Sequence, residues 1–412
     1  MISKGREAMR KSLVCFLLLW IASPAHADDI DGVQPAAIDQ PRINFVVRRQ
    51  IAGPPLIAGD AFNVEAFLDT GASSIDLSSH TAELLGIKRE KIGQTETRFQ
   101  DVGVGGGSDF AVSEPIFLSI APMTPTVDTD QKDAIAATYN LTVGPFRTEI
   151  GPLGSGLDFL TALATGDMDI VGMPAIWDKI VVLNNRDVNS MTDKIRTYIY
   201  DAKAGAADHA PIPKTTQHVK LTFTSFARFT KITPATAPPP AIAANPMIGL
   251  MVSHHGKAIP GSWLLDTGSA VSMISHKKAA ELGVIYVEGT DDSSHPRLTG
   301  PSTERQFIMT VGGIGGSKKS AGFFLDKLSL PTMEGPPIVF DHAPVLVADI
   351  TVKDSENRSF TLDGVFGMNF LVASAMVDES NLLPDIDHLT PGAFRWVVLN
   401  QLGAWLGVER NP

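Results

Sequence analysis

The sequence predicts a mainly β protein made of two related lobes. Three observations carry that expectation. A segment of the first half recurs in the second, stretches with strand-like patterning surround both copies, and a proline- and alanine-rich stretch separates them. Leu68-Asp69-Thr70-Gly71 returns as Leu265-Asp266-Thr267-Gly268. Extended without gaps, eight of the 20 positions from 68 to 87 are identical in the second copy, among them Ser78 with Ser275 and Gly86 with Gly283. Chance matching gives about one or two, so this is a duplication.

The first element in order is a leader. Arg10 and Lys11 precede an apolar run over 13–22, and Ala25-His26-Ala27 supplies small residues at the positions a signal peptidase reads. That pattern predicts a secretory signal peptide over 1–27, with a run too short for a membrane span of about 20 residues. Cleavage there removes Cys15, the one cysteine of the chain. An exported chain without thiols has no disulfides, so its stability must come from packing. The expected location is the periplasm or the medium.

An N-terminal lobe over 28–233 follows, then a linker over 234–246 and a C-terminal lobe over 247–412. The linker holds five prolines and five alanines, the composition of an extended spacer. In the second lobe, 247–252 and 262–265 read as strands flanking a turn at His254-His255-Gly256-Lys257. After each motif a strand ends at a serine and a short helix begins. Ser78 and Ser275 suit its N-cap, and Gly86 and Gly283 suit its C-terminal end. Further short helices are expected over 157–164 and 370–375.

Composition narrows the functions. Of 412 residues, 44% are hydrophobic and 19% charged, enough for real cores. Lys and Arg total 34 against 45 Asp and Glu, a net charge of −11 with no basic stripe, which argues against nucleic acid as a partner. The adjacent His254 and His255 read as solvated turn residues rather than ligands, and no metal or cofactor is expected.

Two further echoes follow the motifs. Val102-Gly103-Val104-Gly105-Gly106-Gly107-Ser108 answers Val311-Gly312-Gly313-Ile314-Gly315-Gly316-Ser317, and Asp169-Ile170-Val171-Gly172 answers Gly364-Val365-Phe366-Gly367. The glycine runs lack the Gly-Lys-Ser/Thr ending of a phosphate loop. They suit mobile hairpins, with Gly105, Gly106, Gly313 and Gly315 supplying the backbone freedom.

With these three motifs in each half, the chain resembles the retropepsin and pepsin clan of aspartic peptidases, nearest to bacterial retropepsin-like aspartyl proteases with two copies in one polypeptide. The resemblance implies a bilobal acid-protease fold of the double-psi β-barrel type. It implies a monomeric, exported endopeptidase in which Asp69 and Asp266 activate a water that attacks a polypeptide substrate. Two carboxyls about 3 Å apart share one proton, which is why the motif must occur twice. By resemblance, Thr70 and Thr267 cross-link the loops, Gly71 and Gly268 make room for the carboxyls, and Ser269 donates to Asp266, which therefore ionises first. The glycine hairpins would be flaps, and Gly172 and Gly367 would support each lobe behind its loop. The insertions 109–167 and 177–233 fall outside the resemblance. An alternative is a protease-fold protein that binds extended peptides or envelope components without cutting them; a third is a chain whose lobes each pair with another molecule.

Overall fold

Strands dominate the computed structural model, which describes residues 29–56, 63–103, 106–121, 139, 141–151, 169–203, 212–226, 232–313, 316–353, 359–377 and 384–412. The leader, the 157–164 stretch, Gly105 and Gly315 lie outside these. Among these residues the protein is mainly β, with two large sheets and only short helices.

The first motif strand, Val64–Leu68, sits inside a ten-stranded sheet. On one side it pairs with Arg42–Arg48, a run of β-branched and aromatic residues whose Ile43, Phe45 and Val47 are fully buried. On the other it runs parallel to Ile170–Val171, which pairs in turn with Ile75–Leu77. Glu149–Ile150 joins Ile75–Leu77 to the hairpin of Gly106–Val112 and Arg98–Gly103. The ends of this sheet are Leu141–Phe146 and Ile232–Thr233.

The second motif strand, Lys257–Leu265, repeats the arrangement. It pairs with Asn245–His254 and runs parallel to Gly364–Phe366, which pairs with Met273–Ile274. Ile338–Val347 then leads to the hairpin of Gly316–Leu330 and Phe307–Gly313. This sheet has twelve strands, because Lys179–Asn184, Arg196–Asp201 and Gln217–Thr224 join it along with Phe394–Asn400 and Trp405–Arg410. Three strands from the 177–233 insertion therefore lie in the second sheet, while its last, Ile232–Thr233, ends the first. One hydrophobic cluster runs from Ile30 to Val408 and draws on both halves.

This strand order corrects the expected pair of double-psi β-barrels, and with it the retropepsin- or pepsin-like architecture. A barrel requires the last strand to bond the first. Neither large sheet closes end to end among the described residues: Leu141–Phe146 and Ile232–Thr233 stay separate ends, as do Arg196–Asp201 and Phe307–Gly313. The second sheet folds back once, where Asn245–His254 also pairs with Gly316–Leu330. The physical reason is that closure depends on tilt and register across every strand, and the insertions add strands that carry the sheets onward.

Two local expectations also change. The 370–375 stretch is not a helix. A 3-10 turn over Met368–Phe370 gives way to the strand Ser374–Val377, which pairs with Ala36–Ala37 from the start of the described chain. His254 is not solvated: it ends a strand with no exposed surface, and its Nε2 lies 2.8 Å from the Pro301 carbonyl oxygen. The turn itself falls on His255 and Gly256, both at positive φ.

Candidate functional site

Each motif strand ends at its aspartate, and the chain turns sharply there. The Asp69 N–H donates to the Val171 carbonyl at 3.1 Å, and the Asp266 N–H to that of Phe366 at 3.0 Å. Each loop then runs through Ile75–Leu77 or Met273–Ile274 into a short helix. Ser78 accepts from the Thr81 N–H at 3.0 Å, and Ser275 from the Lys278 N–H at 3.3 Å. Gly86 (φ 63°) and Gly283 (φ 93°) take the left-handed backbone that releases the chain from the helix.

The threonines tie the two loops together. Thr70 Oγ1 donates to the Leu265 carbonyl and Thr267 Oγ1 to the Leu68 carbonyl, both at 2.6 Å. Each hydroxyl also accepts the other threonine's N–H, at 3.0 and 3.1 Å. Both side chains are buried, so all four bonds are shielded from water.

This arrangement sets the carboxyls of Asp69 and Asp266 against each other, hydrogen-bonded and half-buried. The glycines behind them leave room. A Cβ on Gly71 would stand 2.5 Å from Asp266 Cγ, and one on Gly268 would strike the Asp69 carboxyl. Asp69 Oδ1 accepts the N–H groups of Gly71 at 2.7 Å and Ala72 at 3.1 Å. Burial raises the Asp69 carboxyl, while its bonds to Asp266 and these N–H groups pull it back. Burial, then the charge of Asp69, pushes Asp266 well above the usual carboxylate range. Both carboxyls are thus pushed up by burial, and the pair is set to share one proton. Chemically it offers a donor and an acceptor side by side.

Ser269 is placed differently from its expected role. Its hydroxyl donates to the Val271 carbonyl at 2.7 Å rather than to Asp266. The expected donation that would favour ionisation of Asp266 is therefore not made.

Gly172 and Gly367 sit behind the loops. A side chain at Gly172 would strike the carbonyls of Ser74 and Ala72, and one at Gly367 those of Val271 and Ser269. The next residue in each half, Met173 or Met368, donates its N–H to Ala72 at 3.0 Å or Ser269 at 2.8 Å. The glycine runs form two hairpins, closed by the pairs Gly103 with Gly106 and Gly313 with Gly316.

Sequence reasoning missed two amides. Asn245 Nδ2 donates to the carbonyls of Thr70 (3.0 Å) and Gly71 (2.9 Å), and its Oδ1 accepts from Ser73 Oγ at 2.6 Å. Gln40 Nε2 donates to the carbonyl of Gly268, the counterpart of Gly71. The backbones add a matching pair. Ala243 N–H reaches Ser73 O at 2.9 Å, and Ala37 N–H reaches Ala270 O at 2.8 Å. The strap leading into each half therefore grips the motif loop of the other. A signal was present, since Gln40-Pro41 and Asn245-Pro246 are both an amide followed by proline.

Among the described residues, no group of three or more His, Cys, Asp or Glu is placed to hold a metal ion, and no helix is long and apolar enough to cross a membrane. No family model matches the chain, and no curated protein matches its sequence. The expected aspartic endopeptidase, with its hydrolase and aspartyl-protease labels, is corrected accordingly. That activity was inferred from a barrel-built family, and sheets that do not close end to end remove the inference.

Proposed function

We propose that the chain carries one binding site between its halves, in which one of Asp69 and Asp266 donates and the other accepts, and that it takes a polar group of an extended polypeptide. The observation that carries this reading is the meeting of two half-buried carboxyls from opposite halves. A neutral amide or hydroxyl presents a donor and an acceptor together, and so complements a pair sharing one proton. The extended character of the ligand is supported by Phe307–Gly313, the last strand of its sheet, whose pairing among the described residues is with Gly316–Leu330. Such an edge is a template for an added strand. One chain supplies both aspartates, which suits a monomer, and the leader pattern suits an exported protein.

The test is binding of fluorescently labelled, denatured casein at pH 5 to wild type, Asp69→Asn and Asp266→Asn. Binding should weaken about tenfold or more in each variant, the loss of a hydrogen bond to a charged or proton-sharing group. Equal binding by all three would overturn the reading. Loss of intact casein with wild type alone would replace binding by turnover as the role of the site.

A further inference from the structure

Behind the first motif loop lies a second group of carboxyls. Glu149 is wholly buried, Asp76 is 5% exposed and Asp101 is 8% exposed. Glu149 and Asp76 are register partners on adjacent parallel strands. Ser74 Oγ donates to Asp76 Oδ1 at 3.2 Å, whereas neither Glu149 oxygen has a well-formed bond. Asp76 and Ser74 are among the side chains within reach of Glu149.

The duplication shows what this place ordinarily holds. In the gapless alignment Asp76 corresponds to Met273. The parallel partner of Met273 is Leu346, where the first half has Glu149. The matching backbone bonds are equal in length: Gly151 N–H to Leu77 O and Ala348 N–H to Ile274 O are both 3.0 Å. One half fills the position with two apolar side chains and the other with two acids. The strand geometry is the same, so the fold does not require the acids.

We propose that Glu149 and Asp76 form a pH-sensitive latch, which holds the join between Ile75–Leu77 and Glu149–Ile150 in its protonated form and loosens it on ionisation. Two neighbouring carboxyls attract each other only while one keeps its proton. Among the described residues, the principal charges acting on the two are themselves acidic. The principal ones acting on Glu149 are Asp76 and Asp101, and on Asp76 they are Asp101 and Asp69. Arg147 is directed at Glu90 (3.6 Å) and Arg98 at Glu96 (3.8 Å), while Asp109 on the facing hairpin is exposed. Asp169, beside Ile170, is held by the Ser78 N–H and the Thr81 hydroxyl.

Burial, followed by the charge of Asp101, pushes Asp76 up to about 7, and burial lifts Glu149 well above the carboxylate range. A carboxyl raised on folding makes the folded state bind more protons than the unfolded chain. Stability therefore falls as pH rises from about 4.5 through about 7. The loop loosened by this is the one bearing Asp69, so the latch would set the pH range in which the first motif loop is firm. The proposal stands whether or not the Asp69–Asp266 pair takes a ligand.

The experiment is thermal unfolding of the full chain between pH 4.5 and 8, for wild type and Glu149→Gln. The amide keeps the shape and cannot ionise. At pH 8 its melting temperature should exceed wild type by about 2–4 °C, and at pH 4.5 the two should coincide. A constant offset at every pH would overturn the proposal. Amide exchange on the unaltered protein is a second measure, independent of any variant. From pH 5 to pH 8, protection of the Gly151 amide, corrected for intrinsic exchange, should fall about tenfold relative to that of Ala348. Equal changes at the two amides would also overturn it.

Discussion

The two halves build the same loop and surround it differently. What they share is the means of holding the loop: a threonine bonded across to the other half, a glycine at the point of closest approach, and a strap from the opposite half. What they do not share lies one step away. Asp76 and Glu149 face each other where Met273 and Leu346 do, and Asn245 grips two carbonyls where Gln40 grips one. The shared features cross between halves, and the divergent ones mostly stay within one. Mutual restraint therefore appears in both copies, while the packing behind each loop is free to carry a different chemistry.

The largest test of this comparison is on the shared part. Thr267→Val strips a partner from two buried groups, the Thr70 N–H and the Leu68 carbonyl. At about 1–3 kcal/mol for each unsatisfied group, urea unfolding should show a loss of roughly 3 kcal/mol or more. Thr70→Val should cost the same within about 1 kcal/mol, because its bonds mirror those of Thr267. A twofold disparity would break the equivalence of the halves.

The divergent part should respond in the opposite sense. Giving the first half the second half's residues, Asp76→Met with Glu149→Leu, should raise unfolding free energy at pH 7 by roughly 1–4 kcal/mol. A loss of stability would mean that the acids are built into the first half's packing. The straps should rank by their bonds: Asn245→Leu should cost about 2 kcal/mol and Gln40→Leu about 1 kcal/mol or less, the latter being half-buried with a single bond. The smallest effect is expected at Ser269→Ala. Losing the bond to the Val271 carbonyl costs about 1 kcal/mol at most. Because that hydroxyl does not reach Asp266, infrared titration of the carboxyl pair should be unchanged.

How much of this was legible follows from what each feature leaves in the sequence. The site was legible because duplication repeats a whole phrase, and Leu-Asp-Thr-Gly after an apolar strand survives in both copies. The motif strands and the capped helices were legible for the same reason. The acid pair was only half legible. Asp76 stands inside the aligned window, but its partner Glu149 lies 73 residues on, and nothing local marks the two as neighbours. Of the straps, Asn245 hid in a proline-rich stretch that reads as a spacer and Gln40 just ahead of the first long strand, and a single amide gives no periodicity in either place. Strand order was the least legible. Lys179–Asn184 is a short apolar run that reads as a strand in either half, and only long-range pairing with Phe394–Asn400 assigns it to the second sheet.

The exchange of grips between halves has a consequence for the order of folding. The bonds that finish the first motif loop reach 172 to 199 residues ahead, to Asn245, Leu265 and Thr267. Synthesis at roughly 5–20 residues per second puts about 10–40 s between the emergence of the first loop and its partners. During that interval the N-terminal strands can pair while their aspartate turn stays without its fastenings. Contacts this distant are also the slowest to close. The carboxyl pair is therefore among the last parts of the molecule to assemble, and a chain cut short before the second Asp-Thr-Gly would carry a sheet with an unset loop.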